Sequence, residues 1–286
     1  MKTGEMALSD ADFARVRARL RAAAGISLSD AKRTLVISRL SGRIRRLGLS
    51  GFAAYLDYLD GPGGAGEAQI FVNALTTNLT RFFREDHHFD HLVATVKALA
   101  ARPARRGRGG RPLLRIWSAG CSTGQEPYTI ALSLLDGVPS LADWDFRILA
   151  TDVDTDVLEK AGRGIYPESE LDGLSPARRA LFDARGDGTI AIPPAAREIV
   201  VFRQLNLMEP WPFAGPFDAI FCRNVAIYFD KSTQTGLFAR MGAKLTDDGH
   251  LYIGHSETLH GVARAFRLVG KTTYQRNGHA GARSAA

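Results

Sequence analysis

The chain has 286 residues and a mass of 31.1 kDa, enough to bury about three quarters of the surface its unfolded form exposes and to make one or two domains. With 45% hydrophobic and 23% charged residues and a mean hydropathy of −0.10, disordered, collagenous and fibrous classes are excluded, and no apolar run approaches the roughly 20 residues that span a bilayer. The net charge of +7 sits at the front: residues 15–46 hold ten Lys and Arg against Asp30 alone, a local +9 that leaves −2 for the remainder.

Such a field implies an acidic partner, whether nucleic acid, anionic membrane or protein. The opening MKTGEMALSD carries acids and lacks an apolar export core, so a cytoplasmic location is expected. Cys121 and Cys222 are too few for a disulfide scaffold and read as free thiols.

The first ninety residues read as helices. Val36, Leu40, Ile44 and Leu47 fall at i, i+4, i+8 and i+11 and form one stripe, with Arg39, Arg43 and Arg46 along its flank. That flank suits docking on an acidic partner, and equally a solvated basic face of a bundle. Gly61-Pro62-Gly63-Gly64 break the pattern. A helix over about 68–75 leads into the polar run Thr76-Thr77-Asn78-Leu79-Thr80, and residues 81–100 resume helical spacing. Residues 101–112, ARPARRGRGGRP, read as a basic linker between a helical domain at 1–100 and a second domain at 113–286.

Beyond the linker, short apolar runs alternate with amphipathic segments, the pattern of an α/β protein with a mostly parallel sheet covered by helices. Strands are predicted at 113–118, 146–151, 199–206, 217–222 and 250–254, helices at 127–136, 154–161 and 231–245, and a closing extended pair around 266–275. Residues 162–198 are too long for a plain connection and contain Arg185-Gly186-Asp187-Gly188 and Pro193-Pro194. They predict an inserted helix plus a small β excursion.

The most informative stretch is LLRIWSAGCSTGQEPYTIAL at 113–132: a buried strand, a turn bearing Gly120 and Gly124, and a helix with Pro127 in its first turn. Ligands of open α/β sheets lie at such strand ends. A dinucleotide fingerprint is disfavoured, because the spacing is G-x-x-x-G and the acid ending the next strand, Asp152, comes 28 positions after Gly124. Gly120-Cys121-Ser122-Thr123-Gly124 also spells the G-x-S-x-G elbow of an α/β-hydrolase, with Asp218 and His255 in the hydrolase order, although no oxyanion segment precedes it. A third candidate ligand is S-adenosylmethionine (SAM), for whose ribose hydroxyls Asp152 is placed.

The stretches TTNLTRFFREDHHF, WSAGCSTGQEPYTIAL, ATDVDTDVLEKA, NLME, FDAIFCRNVAIYFD and GHSETL, in this order, resemble the chemotaxis-receptor glutamate methyltransferases, the CheR family. The resemblance implies a helical amino-terminal domain joined to a Rossmann-like SAM-dependent methyltransferase sheet with a small β subdomain. It implies methyl transfer to glutamyl side chains on the cytoplasmic helical region of chemoreceptors, with S-adenosylhomocysteine as product, by a monomer that meets the membrane only through the receptor.

Carried over, it places Asn78, Thr80 and Arg84 above the cofactor, Glu126 at the methionine moiety or amino group, Asp152 on the ribose, and Asn206, Leu207, Arg223 and Asn224 around the pocket, where Gly120 lets the backbone come close to the ligand. On their own chemistry, Asn78 and Thr80 could equally cap a helix starting near Arg81, Arg84 could be a surface ion-pair partner, and Glu126 could complement its helix dipole. Tyr228 could orient the acceptor or the methyl donor, or sit in the core beneath the pocket. Arg39, Arg43 and Arg46 would dock the receptor. Position 125 is Gln where some relatives carry Glu, and residues 183–200 are compact for the subdomain that in some members holds a receptor's terminal peptide. His87 and His91 stand four apart but lack a third ligand, so no metal is expected. A nucleic-acid methyltransferase is the runner-up on charge, yet Cys222-Arg223-Asn224-Val225 stands where an amino-nucleobase enzyme has an acidic or amide residue, Pro-Pro and an aromatic.

Overall fold

Apolar residues three and four apart build the first helices. The computed structural model describes residues 6–101, 105–259 and 261–278; the first five residues of the opening stretch and residues 102–104 of the expected linker lie outside the described residues. Helix α1 (Asp10–Ala24) buries Phe13, Val16, Leu20 and Ala24. Ser9 caps it, its Oγ accepting the Asp12 N–H at 3.0 Å, and Gly25 ends it at φ +73°. Helix α2 (Arg33–Arg46) turns Val36, Leu40 and Ile44 inward, as the stripe predicts. With α3 (Phe52–Asp60) and α4 (Gly64–Leu75) it closes a first core.

The helical spacing after Arg81 does not produce a helix there. Helix α5 begins only at His87 (His87–Ala100), and Phe83 and Glu85 both take φ +55°. Tertiary contacts override the local pattern: the Phe82 ring lies 5.1 Å from that of Tyr166 and 4.8 Å from that of Phe182, and the Phe83 N–H donates to Thr129 Oγ1 at 3.2 Å. Phe89, Leu92 and Val96 of α5 then join the core of the sheet. The helical core ends at Leu75, and the chain crosses to the second core through residues 76–86, well before the expected linker at 101–112.

The second unit runs β1 (Leu113–Ala119), α6 (Gln125–Gly137), β2 (Asp145–Asp152), α7 (Thr155–Arg163), β3 (Ile165–Pro167), α8 (Pro176–Arg179), β4 (Asp183–Ala184), β5 (Thr189–Ala191), α9 (Pro194–Ile199), β6 (Val200–Gln204), β7 (Phe217–Cys222), α10 (Lys231–Ala243), β8 (Leu245–Ile253), β9 (Phe266–Gly270) and β10 (Thr273–Arg276). The main sheet is ordered β6-β2-β1-β7-β8-β10-β9. Its first five strands are parallel, and β10 runs antiparallel to both neighbours. Alternate residues serve opposite faces: Ala219 and Phe221 of β7 meet α5 and α6, while Ile220 and Cys222 meet α10.

Strand order reverses at β1, so its carboxyl end is the switch point where a cleft opens. The excursion expected at 162–198 is a separate antiparallel sheet, β3-β5-β4. Several boundaries differ from expectation, two of them where a helix meets a strand. Leu245 opens β8 opposite Phe217 instead of ending a helix; it is buried, as it would be in either element, so hydrophobic spacing did not discriminate. Ile199 closes α9, and the third strand begins at Val200.

Candidate active site

Between β1 and α6 the chain must turn sharply. Gly120 (φ +80°) and Gly124 (φ +96°) take left-handed backbone, and space excludes a side chain as well. A Cβ on Gly120 would meet Val225 Cγ2 at 2.3 Å, and one on Gly124 would meet Ala161 Cβ at 2.8 Å. Ser122 follows at φ +49° and its N–H donates to Asp152 Oδ2 at 2.8 Å. The other oxygen of Asp152 accepts the Asp154 N–H at 3.0 Å. Burial pushes the Asp152 carboxyl up to about 6, against the pull of these backbone donors.

The turn opens on a cavity, partly open to solvent, at the strand ends where ligands of open α/β sheets lie. Ala24, Ile26 and residues 76–81 wall it from the helical side, and the strand ends wall it from the other. Every residue assigned from sequence to cofactor or catalysis, from Asn78 to Tyr228, lines this one cavity.

The bonds those residues make are more specific than their positions. Asn78 is neither free nor a helix cap: its Nδ2 donates to Asp154 Oδ2 at 2.8 Å, and Thr76 Oγ1 donates to the same oxygen at 2.6 Å. Asp154 meanwhile caps α7 through its other oxygen, so one buried carboxylate pins the crossing segment to the sheet. Sequence reasoning missed it, although an Asp preceding a helix carries the N-cap signal. Asn206 Nδ2 donates to the Ala23 carbonyl at 2.7 Å, tying α1 to the pocket wall. Arg84 Nη1 donates to the Leu79 carbonyl at 3.0 Å.

Glu126 accepts from Ser118 Oγ at 2.7 Å and from Arg223 Nη1 at 3.1 Å. Burial raises its carboxyl, with Arg223 opposing. Arg223 Nη2 also donates to the Arg84 carbonyl and stands 3.3 Å from Glu85 Oε2. Burial raises Glu85 in turn, but His255, 2.8 Å away, and Arg223 outweigh it and hold the carboxyl below its ordinary value. Glu257, which no spacing marked as more than structural, accepts the N–H groups of Asn224 at 2.9 Å, Val225 at 3.0 Å, Ile227 at 3.3 Å and Gly254 at 2.5 Å. That clamp fixes the loop carrying Asn224 and Tyr228.

Several alternatives fail on geometry. Ser122 Oγ donates to the Asn78 carbonyl at 3.1 Å, Asp218 is held by Arg105 at 2.7 Å and the Arg115 N–H at 2.8 Å, and His255 is on Glu85, so no hydrolase triad assembles. His91 Nδ1 lies 3.0 Å from Tyr252 Oη, and His87 Nε2 lies 3.3 Å from the Lys271 carbonyl. Among the described residues no group of three metal-ligating side chains forms. Both cysteines are buried and burial pushes their thiols well up, away from reactivity.

The three arginines expected to dock a partner part company. Arg43 grips buried Glu67 with Nε at 2.9 Å and Nη2 at 2.5 Å, and Tyr55 Oη adds a bond at 2.9 Å. Its guanidinium is committed to that buried carboxylate. Arg39 donates to the Thr76 carbonyl at the crossing segment. Arg46 is exposed beside Arg45, and neither pairs with a carboxylate among the described residues.

Residues 11–76 match the CheR methyltransferase, all-alpha domain, and residues 78–275 match the CheR methyltransferase, SAM binding domain. The chain belongs to the CheR methyltransferases. This CheR chain is 48% identical over 257 residues to a probable chemotaxis protein methyltransferase of Rhizobium etli, covering 88% of this chain and 94% of that one. It is 48% identical over 268 residues to chemotaxis protein methyltransferase 2 of Pseudomonas aeruginosa, covering 92% of each, and 44% identical over 277 residues to the Escherichia coli chemotaxis protein methyltransferase, covering 95% and 93%. It is a SAM-dependent methyltransferase, and the hydrolase and nucleic-acid readings are set aside. The match between the two domains changes over at residue 77, inside the crossing segment that the packing identified.

Proposed function

We propose that this CheR methyltransferase transfers the methyl group of SAM to glutamyl side chains on the cytoplasmic helical region of chemoreceptors, forming methyl esters in chemotaxis adaptation. The observation that carries the reading is a pocket rich in positioning groups and without a nucleophile and base pair. Its serine is bonded to a backbone carbonyl and its cysteines are buried thiols. A glutamyl acceptor, with an ordinary pKa near 4.3, is already an anion at neutral pH and needs no base.

The residues present fit SAM. Asp152 keeps acceptor capacity beyond its two backbone bonds, suited to ribose hydroxyls. Glu126 suits an ammonium group, and the missing Cβ of Gly120 lets the backbone come close. Bound SAM supplies a methyl group activated by its sulfonium. Arg84 orients the incoming carboxylate, Tyr228 borders the acceptor, and Leu207 with Phe89 excludes water. Alignment in such a site can supply up to about 7–11 kcal/mol without proton transfer. Labelled SAM incubated with a purified receptor cytoplasmic fragment tests this: label released as methanol in mild base is the expected result, and label that resists base overturns it.

A further inference from the structure

Arg84 lines the cavity from a turn with unfavourable backbone on either side of it. Phe83 before it and Glu85 after it both take φ +55°, a left-handed conformation that costs a non-glycine residue energy and persists only where the surroundings over-determine it. Phe83 is fixed by the bond of its N–H to Thr129 Oγ1 at 3.2 Å. On the other side of Arg84 the hold passes through Glu85, which is not among the residues lining the cavity. Its carboxylate lies 2.8 Å from His255 Nδ1 and 3.3 Å from Arg223 Nη2, the same nitrogen that donates to the Arg84 carbonyl. Arg223 is buried and its other nitrogen is on Glu126 at 3.1 Å, so Glu85 and the Arg84 backbone share one fixed guanidinium. A second brace, Arg178 on Asp86 at 3.2 Å, is the weaker one, because the Asp86 side chain is 54% exposed and that of Glu85 only 13%.

We infer that Glu85 is a positioning residue for methyl transfer: through Arg223 and His255 it holds the turn that aims Arg84 at the acceptor carboxylate. The inference rests on the proposed function and deepens it. Since Glu85 does not line the cavity, its effect on the reaction passes through Arg84. Releasing it lets the turn relax toward ordinary backbone and carries the Arg84 guanidinium off the line of transfer, while Glu126 keeps Arg223 in place beside the cofactor site.

The test uses the full-length chain, SAM and a purified receptor cytoplasmic fragment. Glu85→Gln keeps the size of the side chain and removes its charge. It should lower kcat roughly ten- to hundredfold, the cost of a displacement of about 1 Å in an aligned site, with receptor KM and calorimetric SAM affinity within about threefold of the parent. On the residual rate of Arg84→Ala, the same substitution should change kcat less than about twofold, since the group being aimed is gone. His255→Ala replaces a side chain 68% exposed, leaves the fold intact, and should lower kcat about threefold in the parent, as loss of an exposed partner implies, and not at all in Arg84→Ala; its result decides the matter if Glu85→Gln does not fold. An unchanged kcat, or an equal loss with and without Arg84, overturns the inference. A loss confined to SAM affinity would assign Glu85 to the cofactor through Arg223, and an Arg84→Ala variant as fast as the parent would remove the group to be aimed; both overturn it. Absence of base-labile methylation by the parent chain would overturn the function itself, and this inference with it, before any variant is measured.

Discussion

Asp152 shows how much a single carboxylate can be asked to do. It ends β2, accepts the Ser122 and Asp154 N–H groups, and lies in the cavity wall with its carboxyl pushed up to about 6 by burial. An acid with a raised value takes its proton as the pH falls through 6 and then offers less to a hydroxyl donor. SAM affinity measured by calorimetry should therefore be flat above about pH 7 and decline as the pH falls below 6. Asp152→Ala should weaken binding roughly ten- to hundredfold, the worth of bonds to a charged acceptor, and remove the pH dependence over that range. Undiminished affinity would take Asp152 off the ribose. The location of this residue was legible because a strand end is a local feature. Its neighbours were not: Ser122 is 30 positions away along the chain.

At the scale of elements, two turns face one another across the pocket, and each is shaped by the other. Gly120 takes φ +80° against Val225 Cγ2, while Val225 is held in place by Glu257. Gly120→Ala should cost about 1–2 kcal/mol in backbone strain alone, more from the clash with Val225, and should weaken SAM binding. In urea denaturation and calorimetry, adding Val225→Ala should recover the steric part of the loss and leave the strain. If the double variant is no better than the single one, Val225 is not what shapes the turn. The glycines were readable as a turn signal, whereas the facing loop was not, because nothing in the order of residues says that positions 120 and 225 meet. The same holds for residues 81–86, where helical spacing lost to aromatic contacts with Tyr166 and Phe182.

At the scale of the molecule, the basic amino-terminal domain is less free than its composition implies. Arg15, Arg17, Arg19, Arg21, Arg33 and Arg43 all pair with carboxylates, leaving Arg45 and Arg46 exposed on α2. Arg43→Ala should cost roughly 3 kcal/mol of stability, since it strands the buried Glu67 carboxylate, so a methylation defect in that variant would report on folding. Arg45→Glu with Arg46→Glu should leave the melting temperature unchanged and slow receptor methylation most at low salt, as steering by exposed charge requires; a salt-independent defect would remove α2 from the encounter. Class, element order, the glycine turn and part of the pocket lining, such as Asn78, Glu126, Asp152 and Asn224, could be read from the order of amino acids, because hydrophobic period, turn chemistry and family motifs are local properties. Which core α5 joins, which arginines stay free and which carboxylates hold the loops required the folded chain, because each depends on partners that only long-range packing brings within bonding distance.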